Sequence, residues 1–93
     1  SETLYCNVKL NSALVTEIKV DVAESNEVEY ARLENFRFKI KSLSAQKFEI
    51  TVFDGVTPSR SFASGVLKIT QDELSWAVWT RETLIESLCR KIN

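Results

Sequence analysis

The chain has 93 residues, enough for one small domain in which folding buries roughly 60–65% of the extended chain's surface. Hydrophobic and charged residues make up 44% and 27%, as in ordinary globular domains, which disfavours an intrinsically disordered chain. A formal net charge of −1 argues against nucleic-acid binding through total charge. No apolar run is long enough for a membrane-spanning helix, and no segment resembles a signal peptide. We expect one β-rich interaction domain over residues 1–93. Because the chain begins with Ser rather than Met, we expect a domain excised from a longer protein, with a processed product as the alternative.

The two cysteines, Cys6 and Cys89, lie near opposite ends of the chain. Free cysteines are commonly buried in protein cores, and the chain has no Asn-x-Ser/Thr glycosylation site. Both observations favour two free thiols in an intracellular protein, either cytoplasmic or nuclear. The alternative is one disulfide joining the two ends, which would need Cα atoms within about 7 Å.

The first predicted element is a β-hairpin over residues 4–22. Apolar and polar residues alternate before and after a turn-like Asn-Ser-Ala segment, which is the period of strands with one buried face. Two registers keep the apolar side chains on one face: Lys9 opposite Glu17, or Leu10 opposite Leu14. Residues 23–30 are polar and acidic, and we expect a surface loop or a short helical turn there.

A second hairpin is predicted from the next two alternating segments, residues 36–41 and 48–52. A five-residue loop between them would place Ile40 opposite Phe48 and Lys39 opposite Glu49, which satisfies both faces. The same region also contains apolar residues at helical spacings of 3 and 4. A central helix near residues 28–43 would instead give a ubiquitin-like β-grasp fold.

A further strand is predicted over residues 62–69, followed by a C-terminal helix. Thr70 and Glu73 have the spacing of a helix capping box. Mostly apolar residues then recur every 3 or 4 positions to the end of the chain, which predicts an amphipathic helix that could break near Thr80. The expected fold is therefore α+β: an antiparallel β-rich sandwich or roll of five to six strands with an amphipathic C-terminal helix.

The sequence offers few residues for catalysis. It has no histidine, two cysteines and no glycine-rich phosphate-binding motif, so common general bases, zinc sites and phosphate-binding loops are lacking. The acidic residues are more simply explained as a solvated loop and as helix capping. We expect a non-enzymatic domain without a metal or a cofactor.

A row of cations is one candidate binding surface. Arg37, Lys39 and Lys41 share the polar face of one predicted strand and could meet phosphates or an acidic peptide. The alternative is an ordinary solvated sheet face. Aromatic residues that could stack on bases are not expected beside this row, because the Phe residues of these strands belong to the opposite face.

Trp76 and Trp79 form the second candidate, because they fall to the side of the predicted helix's apolar stripe. They either cover the sheet as core residues or form a docking or dimer patch. A small domain cannot easily bury all nine of its aromatic residues, which favours a surface for a partner. The expected function is a protein–protein interaction or assembly module that could self-associate. The alternative is a nucleic-acid or acidic-ligand binding module that uses the basic strand face.

Overall fold

A computed structural model describes residues 2–44, 46–56, 59–68, 72–80 and 82–92, with only the backbone for Ser59 and Thr80. Its regular structure consists of eight strands: β1 (Glu2–Leu10), β2 (Ala13–Val22), β3 (Glu27–Leu33), β4 (Phe36–Ser44), β5 (Lys47–Asp54), β6 (Ser59–Val66), β7 (Glu73–Thr80) and β8 (Thr83–Lys91). The first sheet has the strand order β2–β1–β8–β7, and the second has the order β3–β4–β5–β6. All pairings are antiparallel. The described residues include no helix able to cross a membrane.

The core lies between the two sheets and is built from alternate residues of their strands. Phe38 and Ile40 of β4 and Phe48 and Ile50 of β5 are fully buried, and they face residues such as Leu4 of β1. This alternation follows from strand geometry, which points successive side chains to opposite faces of a sheet. The fold is therefore an all-β sandwich of eight strands, and the expectation of an α+β fold with five to six strands is wrong.

The first hairpin is confirmed, and its structure distinguishes the two registers. Leu4 pairs with Val20 and Cys6 with Ile18, which is the register that continues to Leu10 opposite Leu14. A β-bulge near the turn shifts the last pairs by one residue, so Leu14 lies opposite Lys9 instead. A bulge adds one unpaired residue to one strand, and alternation alone does not reveal it.

The second hairpin is also confirmed, but its register differs from the prediction by two residues. Ile40 pairs with Ile50 rather than with Phe48, because β4 continues to Ser44 and the connection is shorter than expected. A two-residue shift preserves the side-chain faces, so the assignment of buried and exposed residues holds. The alternative of a central helix over residues 28–43 is wrong, because β3 and β4 occupy that region.

The predicted C-terminal helix is wrong as well. Its residues form β7 and β8, in which Leu74 pairs with Cys89 and Val78 with Ile85. Ser87 lies on the inner face of β8 and is only 2% exposed, so a polar residue interrupts the apolar alternation. The helical spacing combined inner residues with outer ones such as Leu88. Of the proposed capping box, Glu73 begins β7, and Thr70 lies outside the described residues.

Cys6 and Cys89 are joined by a disulfide, which corrects the expectation of two free thiols. The two residues are directly paired across β1 and β8, with 4.1 Å between their Cα atoms. Both side chains are fully buried in the core. The cross-link thus joins the two ends of the chain at the centre of the first sheet.

A short chain of hydrogen bonds crosses the core between the sheets. The Ser87 hydroxyl donates to the Asn7 carbonyl oxygen at 2.9 Å. Since that uses its only proton, the Tyr30 hydroxyl is the donor in the 2.5 Å bond between Tyr30 and Ser87. Burial raises the pKa of Tyr30 well above its ordinary value. These bonds satisfy buried polar groups while connecting β3 to β8.

Candidate functional site

The outer side of the second sheet carries a concentration of cations, which we call the basic face. Its outward side chains include six basic residues: Arg32, Arg37, Lys39, Lys41, Lys47 and Arg60. They include three acidic residues: Glu27, Glu29 and Glu49. Because the whole chain carries −1, this face at +3 leaves −4 for all other residues. The predicted row of Arg37, Lys39 and Lys41 is therefore part of a larger charged surface.

Strand pairing aligns three arginines and one aromatic residue in a row across this face. Arg32 lies opposite Arg37, Arg37 opposite Phe53, and Phe53 opposite Arg60. The Arg60 guanidinium carbon lies 5.9 Å from the centre of the Phe53 ring, within range of a cation–π interaction. We refer to these four residues as the arginine row.

Ion pairs on the basic face are exposed and unevenly distributed. Glu29 contacts two arginines of the row, Arg32 at 2.8 Å and Arg37 at 3.6 Å. Lys39 lies 3.6 Å from Glu27. Within the described part of the chain, Lys41 and Arg60 form no ion pair. Exposed pairs of this kind contribute about 0.2–1 kcal/mol each, so the cations stay available to a ligand.

A cleft of about 270 Å³ opens on the basic face. Its lining consists of Glu27, Arg37, Lys39, Thr51, Phe53 and Arg60. Phe62 of β6 projects beside it, paired with Thr51 and 58% exposed. The expectation that no aromatic residue accompanies the cations is thus wrong, because Phe53 and Phe62 occupy the outer positions of their strands. Alternation within their strands could have placed both aromatic residues, whereas Arg60 lies before the predicted strand of residues 62–69 and was expected in a loop.

The outer side of the first sheet has a different charge. Its basic residues are Lys9, Lys19 and Arg90, and its acidic residues are Glu17, Asp21, Glu73 and Glu86. Arg90 lies over the Tyr5 ring at 5.0 Å, and the Tyr5 hydroxyl donates to Glu17 at 2.6 Å. The two outer faces of the sandwich therefore differ in sign, and the basic one carries the cleft described above.

The two tryptophans are separated by the alternation of β7. Trp76 is only 8% exposed, and its ring packs edge-on against Phe38 with 5.6 Å between the ring centres. Trp76 is therefore a core residue and is not available to a partner. Trp79 is 69% exposed on the outer face of the first sheet, where it pairs with Leu84. Of the two predicted tryptophans, the structure thus leaves only Trp79 on the surface, on a different sheet from the cations of β4.

The described residues contain no group of three or more His, Cys, Asp or Glu side chains that could hold a metal ion. Comparison with known protein families, curated proteins and solved structures finds no match to this chain. The basic face itself is therefore the feature from which a function can be inferred.

Proposed function

We propose that this domain is a non-catalytic protein-binding module whose basic face takes an acidic polypeptide segment of a partner. The observation that carries the proposal is the arginine row. Like charges directly opposite each other in a sheet are destabilising, and Arg32 faces Arg37 in this way. Glu29 compensates only part of this charge. The repulsion between these arginines lowers the stability of the free protein, and a ligand that neutralises their charge would explain why they lie together.

Arginine suits carboxylates in particular, because its planar guanidinium presents paired donors that match the two carboxylate oxygens. Phe53 and Phe62 supply apolar area beside these donors for the side chains that separate the acids of a peptide. A polypeptide is favoured over a nucleic acid because Glu27, Glu29 and Glu49 lie among the cations. A regular phosphate backbone would meet these acids, whereas a polypeptide can place neutral residues opposite them.

The test uses the probe peptide acetyl-(Val-Glu)4-amide, with fluorescence anisotropy as the measurement. The double variant Arg37→Gln/Arg60→Gln removes the charges on both sides of Phe53. Its matched control is Lys9→Gln/Lys19→Gln, which removes the same charge from the first sheet. We expect the first variant to bind about two- to thirty-fold more weakly, since each exposed ion pair contributes about 0.2–1 kcal/mol. The control variant should bind like the wild type.

Three results would overturn the proposal. Equal affinity of the two double variants would show that total charge, rather than the arginine row, governs binding. Failure of the probe peptide to bind the wild type would show that an acidic polypeptide is not the ligand. Tighter binding of an oligothymidylate octamer than of the peptide would assign the face to nucleic acid. For a peptide complex, raising salt from about 50 mM to about 300 mM should weaken binding, because exposed charges are screened.

Trp79 supports a second candidate function, self-association through the first sheet. Its ring is exposed beside Leu84, and large exposed aromatic residues commonly anchor interfaces. Light scattering across concentration tests this candidate. A mass that doubles with concentration, and returns to that of one chain in Trp79→Ala, supports it. A constant single-chain mass contradicts it.

The disulfide bears on where such a module would act. Structural disulfides form and persist mainly in oxidising compartments, while cytosolic thiols are kept reduced. The pairing of Cys6 with Cys89 therefore favours an oxidising compartment over the intracellular location expected from the sequence. Mass spectrometry of the protein isolated without reductant, with free thiols blocked, tests this: a pair of blocked thiols would restore the intracellular expectation.

A further inference from the structure

The four edge strands of the sandwich differ in how they are protected from pairing with other chains. β2 and β3 each contain a bulge in the pairing with their neighbour. Each also carries three charged residues. Bulges and charges are the usual devices that prevent an edge strand from accepting another strand. By contrast, β6 and β7 pair in unbroken register, and each carries one charge, Arg60 and Glu73 respectively.

Of the two unprotected strands, β6 is the more accessible. All eight of its residues pair with β5, and none of the other described strands pairs with its opposite side. Its inward positions are not deeply buried either, since Ser61 is exposed and Ala63 and Gly65 are partly exposed. Most of its side chains are small and cannot shield the backbone, while Phe62 and Val66 are 58% and 54% exposed. A long edge without a bulge that is partly apolar is a ready template for another strand.

We propose that β6 receives an extended acidic segment of the partner protein as a fifth strand of the second sheet. This inference rests on the proposed function, because it takes the acidic polypeptide from there and adds its conformation and position. The added strand would continue the arginine row, with an acidic side chain directly opposite Arg60 on the outer face. Backbone hydrogen bonds to β6 would supply affinity, as in other cases of strand addition.

A second copy of the chain is a poorer occupant of this edge. Pairing two β6 strands about a two-fold axis would join two basic faces, each of net charge +3, into one continuous surface. The repulsion between them opposes this dimer, whereas an acidic strand is attracted. Charge complementarity therefore selects the acidic segment.

The test compares acetyl-(Val-Glu)4-amide with two N-methylated forms, one methylated at every Val and the other at every Glu. Only alternate residues of a β-strand direct their backbone N–H groups to a given neighbour. We therefore expect one methylated form to bind more than about tenfold more weakly and the other to change by less than about threefold. Hydrogen exchange of the wild-type complex should slow at alternate amides of β6.

Each other result overturns the inference and separates it from the proposed function. If both methylated forms bind like the parent peptide, the segment lies on the basic face through its side chains alone, and only strand addition is lost. If both methylated forms bind equally more weakly than the parent peptide, the peptide does not pair with β6 through alternate backbone N–H groups, and strand addition is again excluded. Absence of binding by the unmethylated peptide removes both proposals. Protection of β6 amides without peptide, together with a doubled scattering mass, assigns the edge to a second copy.

Discussion

Reducing the Cys6–Cys89 disulfide should remove a large part of the stability of this domain. The bond joins β1 to β8 and spans 83 positions of the sequence, so it encloses nearly the whole chain. Both sulfur-bearing side chains are fully buried. The cross-link restricts the unfolded chain much more than the folded one, in which the β1–β8 pairing already holds the two residues together.

The expected effect follows from the length of the closed loop. For a separation of 83 residues the chain-entropy relation gives about 4–5 kcal/mol at room temperature. A domain of this length has a total free energy of unfolding of about 5–14 kcal/mol. Reduction should therefore leave a protein that is only marginally stable, although its strand pairings are unchanged.

Urea unfolding followed by tryptophan fluorescence measures this effect, with and without a thiol reductant. The reduced wild type should unfold at a much lower urea concentration. The dependence of its unfolding free energy on urea should become steeper, because the uncrosslinked unfolded chain exposes more surface. The variant Cys6→Ala/Cys89→Ala is the control: it should resemble the reduced protein and should not respond to reductant.

A shift of less than about 1 kcal/mol on reduction would refute this reasoning, since it would show that the unfolded chain is not restricted by the bond. A response of the double-alanine variant to reductant would do the same, because that variant has no disulfide to break.

Two further predictions concern the core. Tyr30→Phe should cost about 1–2 kcal/mol at neutral pH, because Ser87 loses a buried hydrogen-bond donor. Burial raises the pKa of Tyr30, so above about pH 10 the folded state keeps a proton that the unfolded chain releases. The free energy of unfolding of the wild type should therefore fall as the pH rises above about 10, and it should fall less in Tyr30→Phe. Urea titrations across pH measure both effects, and parallel pH profiles of the two proteins would contradict this prediction. Trp76→Ala should cost about 3–5 kcal/mol, whereas Trp79→Ala should stay within about 0.5 kcal/mol; similar thermal shifts for the two variants would contradict their assignment to core and surface.

Alternation was sufficient to identify both early hairpins and the inner and outer faces of their strands. It could not fix the registers, because a shift of two residues keeps every side chain on its face. In the second hairpin, charge pairing favours Lys39 opposite Glu49, yet the structure places Lys41 opposite Glu49. The bulge beside Leu14 was equally invisible, since it depends on the local backbone rather than on polarity.

The C-terminal third was predicted as a helix for a physical reason. Ser87 faces the core, where its hydroxyl accepts a hydrogen bond from Tyr30 and donates one to the backbone carbonyl oxygen of Asn7. A buried polar residue with distant partners breaks the apolar alternation that identifies a strand. Tyr30 was missed for a related reason: it lies at a bulge in β3, a strand that otherwise resembles an acidic loop.

The candidate surface was predicted only in part. The cations of β4 were recognised, because their alternation with Phe36, Phe38 and Ile40 is regular. The arginine row was not, since it depends on which residues of β3, β5 and β6 lie opposite Arg37. Such juxtapositions across strands follow from register, which is the feature that the sequence specified least.

The most direct test of the basic face as a binding surface is an NMR titration of the labelled domain with acetyl-(Val-Glu)4-amide. We predict that the largest backbone shifts fall on the second sheet, around Arg37, Phe53 and Arg60, and that they saturate with added peptide. Shifts concentrated on the first sheet around Trp79, or no saturable shifts at all, would contradict the account.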